Sequence, residues 1–144
     1  MRTPADTVAE AQRLLDAEMP FHAHEVFEDA WKSAVEDERL LWQGLAQLAV
    51  GLTHLRRGNI AGARKLFPRG ADRIRPYATQ SPHGLDVAGI VGWAEEAAEG
   101  LDDPELHVAA PRLTRTNTDE PRDRRATGGA GEGVEDGNRT GGSA

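Results

Sequence analysis

The chain predicts an all-α fold, a compact antiparallel array of four or five helices followed by a disordered C-terminal tail. Three observations predict it. Up to Leu101 the apolar residues recur at intervals of three and four, the period of a helix face, instead of alternating. Runs of β-branched residues are absent from the same stretch. Helix punctuation stands where the periodic segments begin and end, as Thr3-Pro4, Met19-Pro20 and Gly58-Asn59.

The first helix opens at Thr3, an N-cap followed by Pro4 and, three residues on, by Asp6, the pattern of a capping box. Val8, Ala11 and Leu15 then share a face, and the helix ends near Met19-Pro20. The second spans about residues 21–35 and places Phe27 and Trp31 one turn apart, with acids at its start suited to the positive end of the helix dipole. The third, about residues 37–57, carries Leu41, Leu45, Leu48, Leu52 and Leu55 as one stripe that Trp42, Ala46, Ala49 and Val50 widen. A helix apolar over so much of its circumference is central.

Gly58 and Asn59 then end one helix and cap the next, so the fourth returns antiparallel with Ile60, Ala63, Leu66, Phe67, Ile74 and Tyr77. Pro68 lies inside it and predicts a kink or a restart, because proline lacks the backbone donor and crowds the Arg64 carbonyl. The last helix, about residues 85–99, turns Val87, Ile90, Val91 and Trp93 inward and Glu95, Glu96 and Glu99 outward. From Asp102 on, Gly, Pro, Thr and charged residues dominate and aromatic residues vanish. Such a stretch cannot bury enough apolar surface to offset its ordering entropy, which predicts a helical domain over residues 1–101 and a disordered tail over 102–144.

Charge and composition narrow the function classes. The 144 residues carry a formal charge of -7 and no cysteine, which excludes disulfide scaffolds, zinc-thiolate and iron-sulfur sites and thiol catalysis. The longest apolar run, residues 40–55, holds Gln43, Gln47 and His54 and is too short to span a bilayer. With no basic leader before an apolar core near Met1, the expectation is a soluble cytoplasmic protein without a membrane partner. Seven bases against one acid over residues 56–75 place Arg57, Arg64 and Lys65 as a candidate cationic face. No interleaved aromatics or recognised DNA-binding motif accompany it, so a solvated helix face is favoured over nucleic acid. Trp31, Trp42 and Trp93 are many tryptophans for so small a domain, and one left exposed would mark a protein partner or a homo-oligomer surface.

The stretch with chemical content is 21-FHAHEVFEDAW-31. His24 and Glu28 lie one turn apart on the same side, with Phe27 and Trp31 beside them, so an imidazole and a carboxylate share an apolar face. Gln43, Gln47, Val50 and His54 form a row along the third helix that antiparallel packing brings toward them. Three readings are open. One is a buried hydrogen-bond network that fixes the register of the two helices. Another is a divalent-metal or small-ligand site in which His24 and Glu28 need a third ligand such as His54 or Glu25, with zinc, manganese or iron suiting the donor set. The third is an acid/base pair in a hydrolytic or isomerising pocket, with no nucleophile to identify it. Glu28 stands where a zinc protease helix needs its second histidine, and a di-iron bundle would need repeated E-x-x-H pairs, so neither assignment holds. His22, His83 and His107 read as solvated surface positions.

At these residues the chain resembles a known family. 24-HEVFEDAW-31 is similar to the H-x-x-x-E-x-x-[WY] motif of the uncharacterised prokaryotic family known as domain of unknown function 309, and 43-QGLAQLAVGLTHLRRGNIAGARKL-66 resembles the segment that follows it. The resemblance covers about residues 5–77 and implies a compact all-helical domain. Its implied metal binding falls on His24, Glu28 and Trp31, with Gln43, Gln47 and His54 as matching positions, and Pro68 departs from the family's pattern.

Overall fold

A computed structural model describes residues 2–115. Five α-helices make up the unit Met1–Leu113: α1 (Pro4–Asp16), α2 (Pro20–Ser33), α3 (Arg39–Arg56), α4 (Ile60–Ile74) and α5 (Val87–Glu99). Among the described residues there is no β-strand, and no helix is long and apolar enough to cross a membrane.

Local chemistry sets the ends. The Thr3 hydroxyl accepts from the Asp6 N–H at 3.1 Å while the Asp6 carboxylate accepts from the Thr3 N–H at 3.2 Å, closing the expected capping box. α1 stops at Asp16, short of the expected end, because Glu18 turns to a φ of 62° and sends the chain into Pro20 at the start of α2. Between α2 and α3 a 3-10 turn at Glu36–Glu38 collects three acids next to the α3 N-terminus. Gly58, at φ 78°, ends α3, and the Asn59 side chain accepts from the Gly62 N–H at 3.1 Å to cap α4.

α3 is the axis of the domain, packed on α2 and most heavily on α4. Ring contacts order the first pair as antiparallel: the Arg39 guanidinium lies over Trp31, Trp42 meets Phe27, and the Arg57 guanidinium lies over Phe21. The second pair is closer. A Cβ placed on Gly44 would stand 2.6 Å from Ile74 Cγ2, and one on Gly70 would stand 2.9 Å from the Gly44 carbonyl oxygen, so bare backbones meet there. α4 continues through Pro68 as one helix, so the chain does not restart there. Ala63 and Phe67 before the proline and Gly70, Ala71 and Ile74 after it form one buried face. Packing of both halves on α3 outweighs the one backbone hydrogen bond that Pro68 removes.

The chain beyond α5 departs from its composition. Residues 102–113, expected to begin a tail, lie against the helices with Val108 and Leu113 buried. Helical side chains satisfy this strap's backbone: Arg56 donates to the Val108 carbonyl at 2.7 Å, Trp93 Nε1 to the Ala109 carbonyl at 2.8 Å, and Gln12 Nε2 to the Pro111 carbonyl at 3.0 Å. Gln12 Oε1 in turn accepts from the Leu113 N–H at 2.8 Å. The remaining expected tail, residues 116–144, lies outside the described residues.

The tryptophans divide as their helix faces dictate. Trp42 is buried at 2% exposure, whereas Trp31 and Trp93 are partly buried, the latter with its ring edge-on to Phe67 at 5.4 Å. The large apolar side chains left exposed are Met19, Phe21, Val35 and Leu40.

Candidate functional site

α2 and α3 diverge enough to leave a groove of about 180 Å³ between them. His24, Glu28 and Trp31 form its α2 wall, Gln43, Ala46, Gln47 and Val50 its α3 wall, and Leu66 of α4 closes one side. On α2 the spacing of four puts His24 and Glu28 on one side one turn apart, while Ala23, Val26 and Phe27 face the core and hold the helix in place. The α3 spacing of four and three likewise aims Gln43, Gln47 and Val50 into the same space.

The geometry is that of an incomplete polar site. His24 Nε2 stands 3.5 Å from Glu28 Oε2, longer than a good hydrogen bond. The other ring nitrogen, Nδ1, is buried without any hydrogen-bond partner. The His24 ring also touches Phe21 at a centroid distance of 5.5 Å, so the imidazole sits between an aromatic ring and the carboxylate. The Glu28 side chain is 41% exposed, in contrast to the 19% exposed His24 side chain. Across the groove Arg73 Nε donates to Gln47 Oε1 at 3.0 Å, which fixes that amide and leaves its N–H groups for other partners. His24, Glu28, Trp31, Gln43 and Gln47, singled out by their spacing, stand together along this groove, whereas Leu66, which also lines it, and Arg73, which holds Gln47, are supplied by α4 and carry no such signal.

His54 does not join the group. Its Nδ1 lies 3.0 Å from the Asn59 amide nitrogen, and its ring packs against Gly62 at the start of α4. Among the described residues no cluster of three or more His, Asp or Glu side chains is arranged to hold a metal ion. The donor set at the groove is thus one imidazole and one carboxylate, with amides beside them. The cationic stretch is dispersed too: Arg57 covers Phe21, Arg64 pairs with Asp102 at 2.6 Å, and Lys65 is exposed. The histidines read as solvated, His22, His83 and His107, are all exposed, and His83 is in addition bound: its Nε2 meets Glu38 Oε1 at 2.8 Å and its ring stacks on Trp42. No local spacing could show that contact, since it joins residues brought together only by the fold.

The groove lies within a span shared with other proteins. A family model described as "Domain of unknown function (DUF309)" matches residues 8–66, which contain every residue lining it. Over those residues the chain is similar to the DUF309 family. The uncharacterized protein YpuF of Bacillus subtilis (strain 168) is similar, at 47% identity over 89 residues, covering 57% of this chain and 48% of YpuF. The chain thus spans about half the length of that curated relative. No solved structure matches. The α2–α3 groove and the α3–α4 contact of bare backbones fall inside or beside this one matched block, so the site and its scaffold are built by one stretch of chain.

Proposed function

We propose that the α2–α3 groove of this domain binds a small polar ligand through His24 and Glu28, and that the domain acts in the cytoplasm. The observation that carries the reading is the unpartnered His24 Nδ1 beside a loose His24–Glu28 contact on the wall of an open groove. A buried network that served only to fix helix register would satisfy its polar groups, because leaving one unpaired costs about 1–3 kcal/mol. Here the polar groups are retained at a cost to stability, as binding groups are. The volume of about 180 Å³ suits a compact ligand. Glu28 accepts from such a ligand, the Gln43 and Gln47 amides offer both donors and acceptors, and Trp31, Val50 and Leu66 cover its apolar part.

A divalent cation is the second reading, favoured by the 3.5 Å gap between His24 Nε2 and Glu28 Oε2. Tetrahedral coordination at about 2.0–2.2 Å holds a nitrogen and an oxygen ligand roughly 3.4 Å apart. Two protein ligands fit only a weakly held ion whose remaining positions are water, and such an ion would polarise a bound water or ligand oxygen. Zinc, manganese and iron(II) all accept this donor pair.

Ligand-observed NMR with a library of small polar fragments, and separately with zinc and manganese chloride, tests both readings on the full chain. The expected result is saturable binding by the parent that is lost in His24→Leu and in Glu28→Gln. Binding retained in both variants, or no binding by the parent, overturns the assignment.

A further inference from the structure

The geometry points to a second binding site, apart from the α2–α3 groove, that takes a small organic carboxylate with an apolar body. It is a cleft of about 270 Å³ where the start of α1, the end of α2, the Glu36–Glu38 turn and the loop at Pro82–Gly84 converge. Four features of this cleft carry the inference.

Its floor is a built cluster. Glu38 Oε1 accepts from His83 Nε2 at 2.8 Å and lies 3.4 Å from Trp42 Nε1, while the His83 ring stacks on the Trp42 indole at 5.9 Å between centroids. The carboxylate is thereby engaged by the protein's own donors, and the imidazole is held as a fixed plane.

The loop that delivers His83 is strained. Ser81 has φ 44° and His83 φ 57°, left-handed conformations that non-glycine residues seldom adopt, one on each side of Pro82. Two such residues in succession around a proline persist only where surrounding contacts impose them, and they gather at binding sites.

A polar group is left for a ligand. Thr7 is 4% exposed and lines the cleft, yet its hydroxyl makes no hydrogen bond within the described residues. The other buried threonine, Thr53, donates to the Ala49 carbonyl at 2.8 Å in the ordinary helical way.

One cation stands at the cleft. Arg2 lines the cleft, and its charge also reaches Glu10, whose carboxyl is held below its ordinary value chiefly by the hydrogen bond from Arg13. With Glu38 occupied by His83 and Trp42, the guanidinium and the Thr7 hydroxyl are the donors that a ligand meets, the pair that a carboxylate needs. Pro4, Ala30 and Val35 supply the apolar wall for its body.

Benzoate is the probe, with neutral benzamide of the same shape beside it, titrated into the uniformly nitrogen-15 labelled full chain. The readout is the Trp42 indole N–H resonance. A saturable benzoate shift is expected, with affinity at least tenfold weaker in Arg2→Gln and severalfold weaker in Thr7→Val, and with no matching shift from benzamide. Arg2 is exposed, so Arg2→Gln leaves the fold intact and keeps the test decisive. No saturable shift, equal binding of benzamide, or unchanged affinity in Arg2→Gln overturns the proposal.

Discussion

Replacing Phe67 with alanine is expected to lower the stability of the domain by about 3–5 kcal/mol, the range for truncating a buried aromatic ring. Phe67 is fully buried at 0% exposure in the middle of α4. One side of the ring lies against Gly51 of α3, where a Cβ would already stand 3.2 Å from it, and another edge meets Trp93 of α5 at 88° between planes. Removing the ring therefore opens a cavity bordered by a glycine, which has no side chain to move in. It also removes an aromatic pair worth about 0.5–1.5 kcal/mol beyond burial. Thermal unfolding followed by circular dichroism checks this, and a fall in Tm of more than about 10 °C is expected. A fall of only a few degrees would mean that α4 and α5 close over the gap.

The second large effect comes from adding a single methyl group. Gly70→Ala should destabilise by about 1–3 kcal/mol through overpacking, even though alanine is favoured over glycine inside a helix by roughly 1 kcal/mol. The new Cβ would lie 2.7 Å from Leu48 Cγ and 2.9 Å from the Gly44 carbonyl oxygen, and neither atom is the free end of a flexible side chain. α3 and α4 would have to separate along their central contact. Denaturant unfolding should show a lower midpoint with an unchanged slope. A midpoint at or above that of the parent would show that the two helices can part without loss.

Much of this architecture is legible in the sequence because it is local. The Thr3-Pro4-Asp6 start, the Asn59 cap and the leucine stripe of α3 each depend on residues within one or two turns, and each stands where the spacing predicts it. Pro68 misleads because its penalty is local whereas the packing that overrides it is not. The strap over residues 102–113 misleads for a related reason. Its composition is that of a tail, but its carbonyls find Arg56, Trp93 and Gln12, side chains that no window along the strap contains.

The groove was readable as far as helix periodicity reaches. Period alone places His24, Glu28 and Trp31 on one wall and Gln43 and Gln47 on the other. It fails at His54, which continues the same stripe but lies beside the α3–α4 turn, where Asn59 and Gly62 engage it. It fails again at His83, whose partners Glu38 and Trp42 are set by tertiary packing.

The account turns on why His24 is present, and the melting temperature of His24→Leu measures that most directly. Leucine fills much of the imidazole's space beside Phe21 and carries no polar atom to leave unpaired. If His24 is retained for binding at the expense of stability, the variant melts at or above the temperature of the parent while its ligand or metal response disappears. A drop of several degrees, comparable to that for a core truncation, would contradict the account and make His24 and Glu28 part of the architecture that holds α2 against α3.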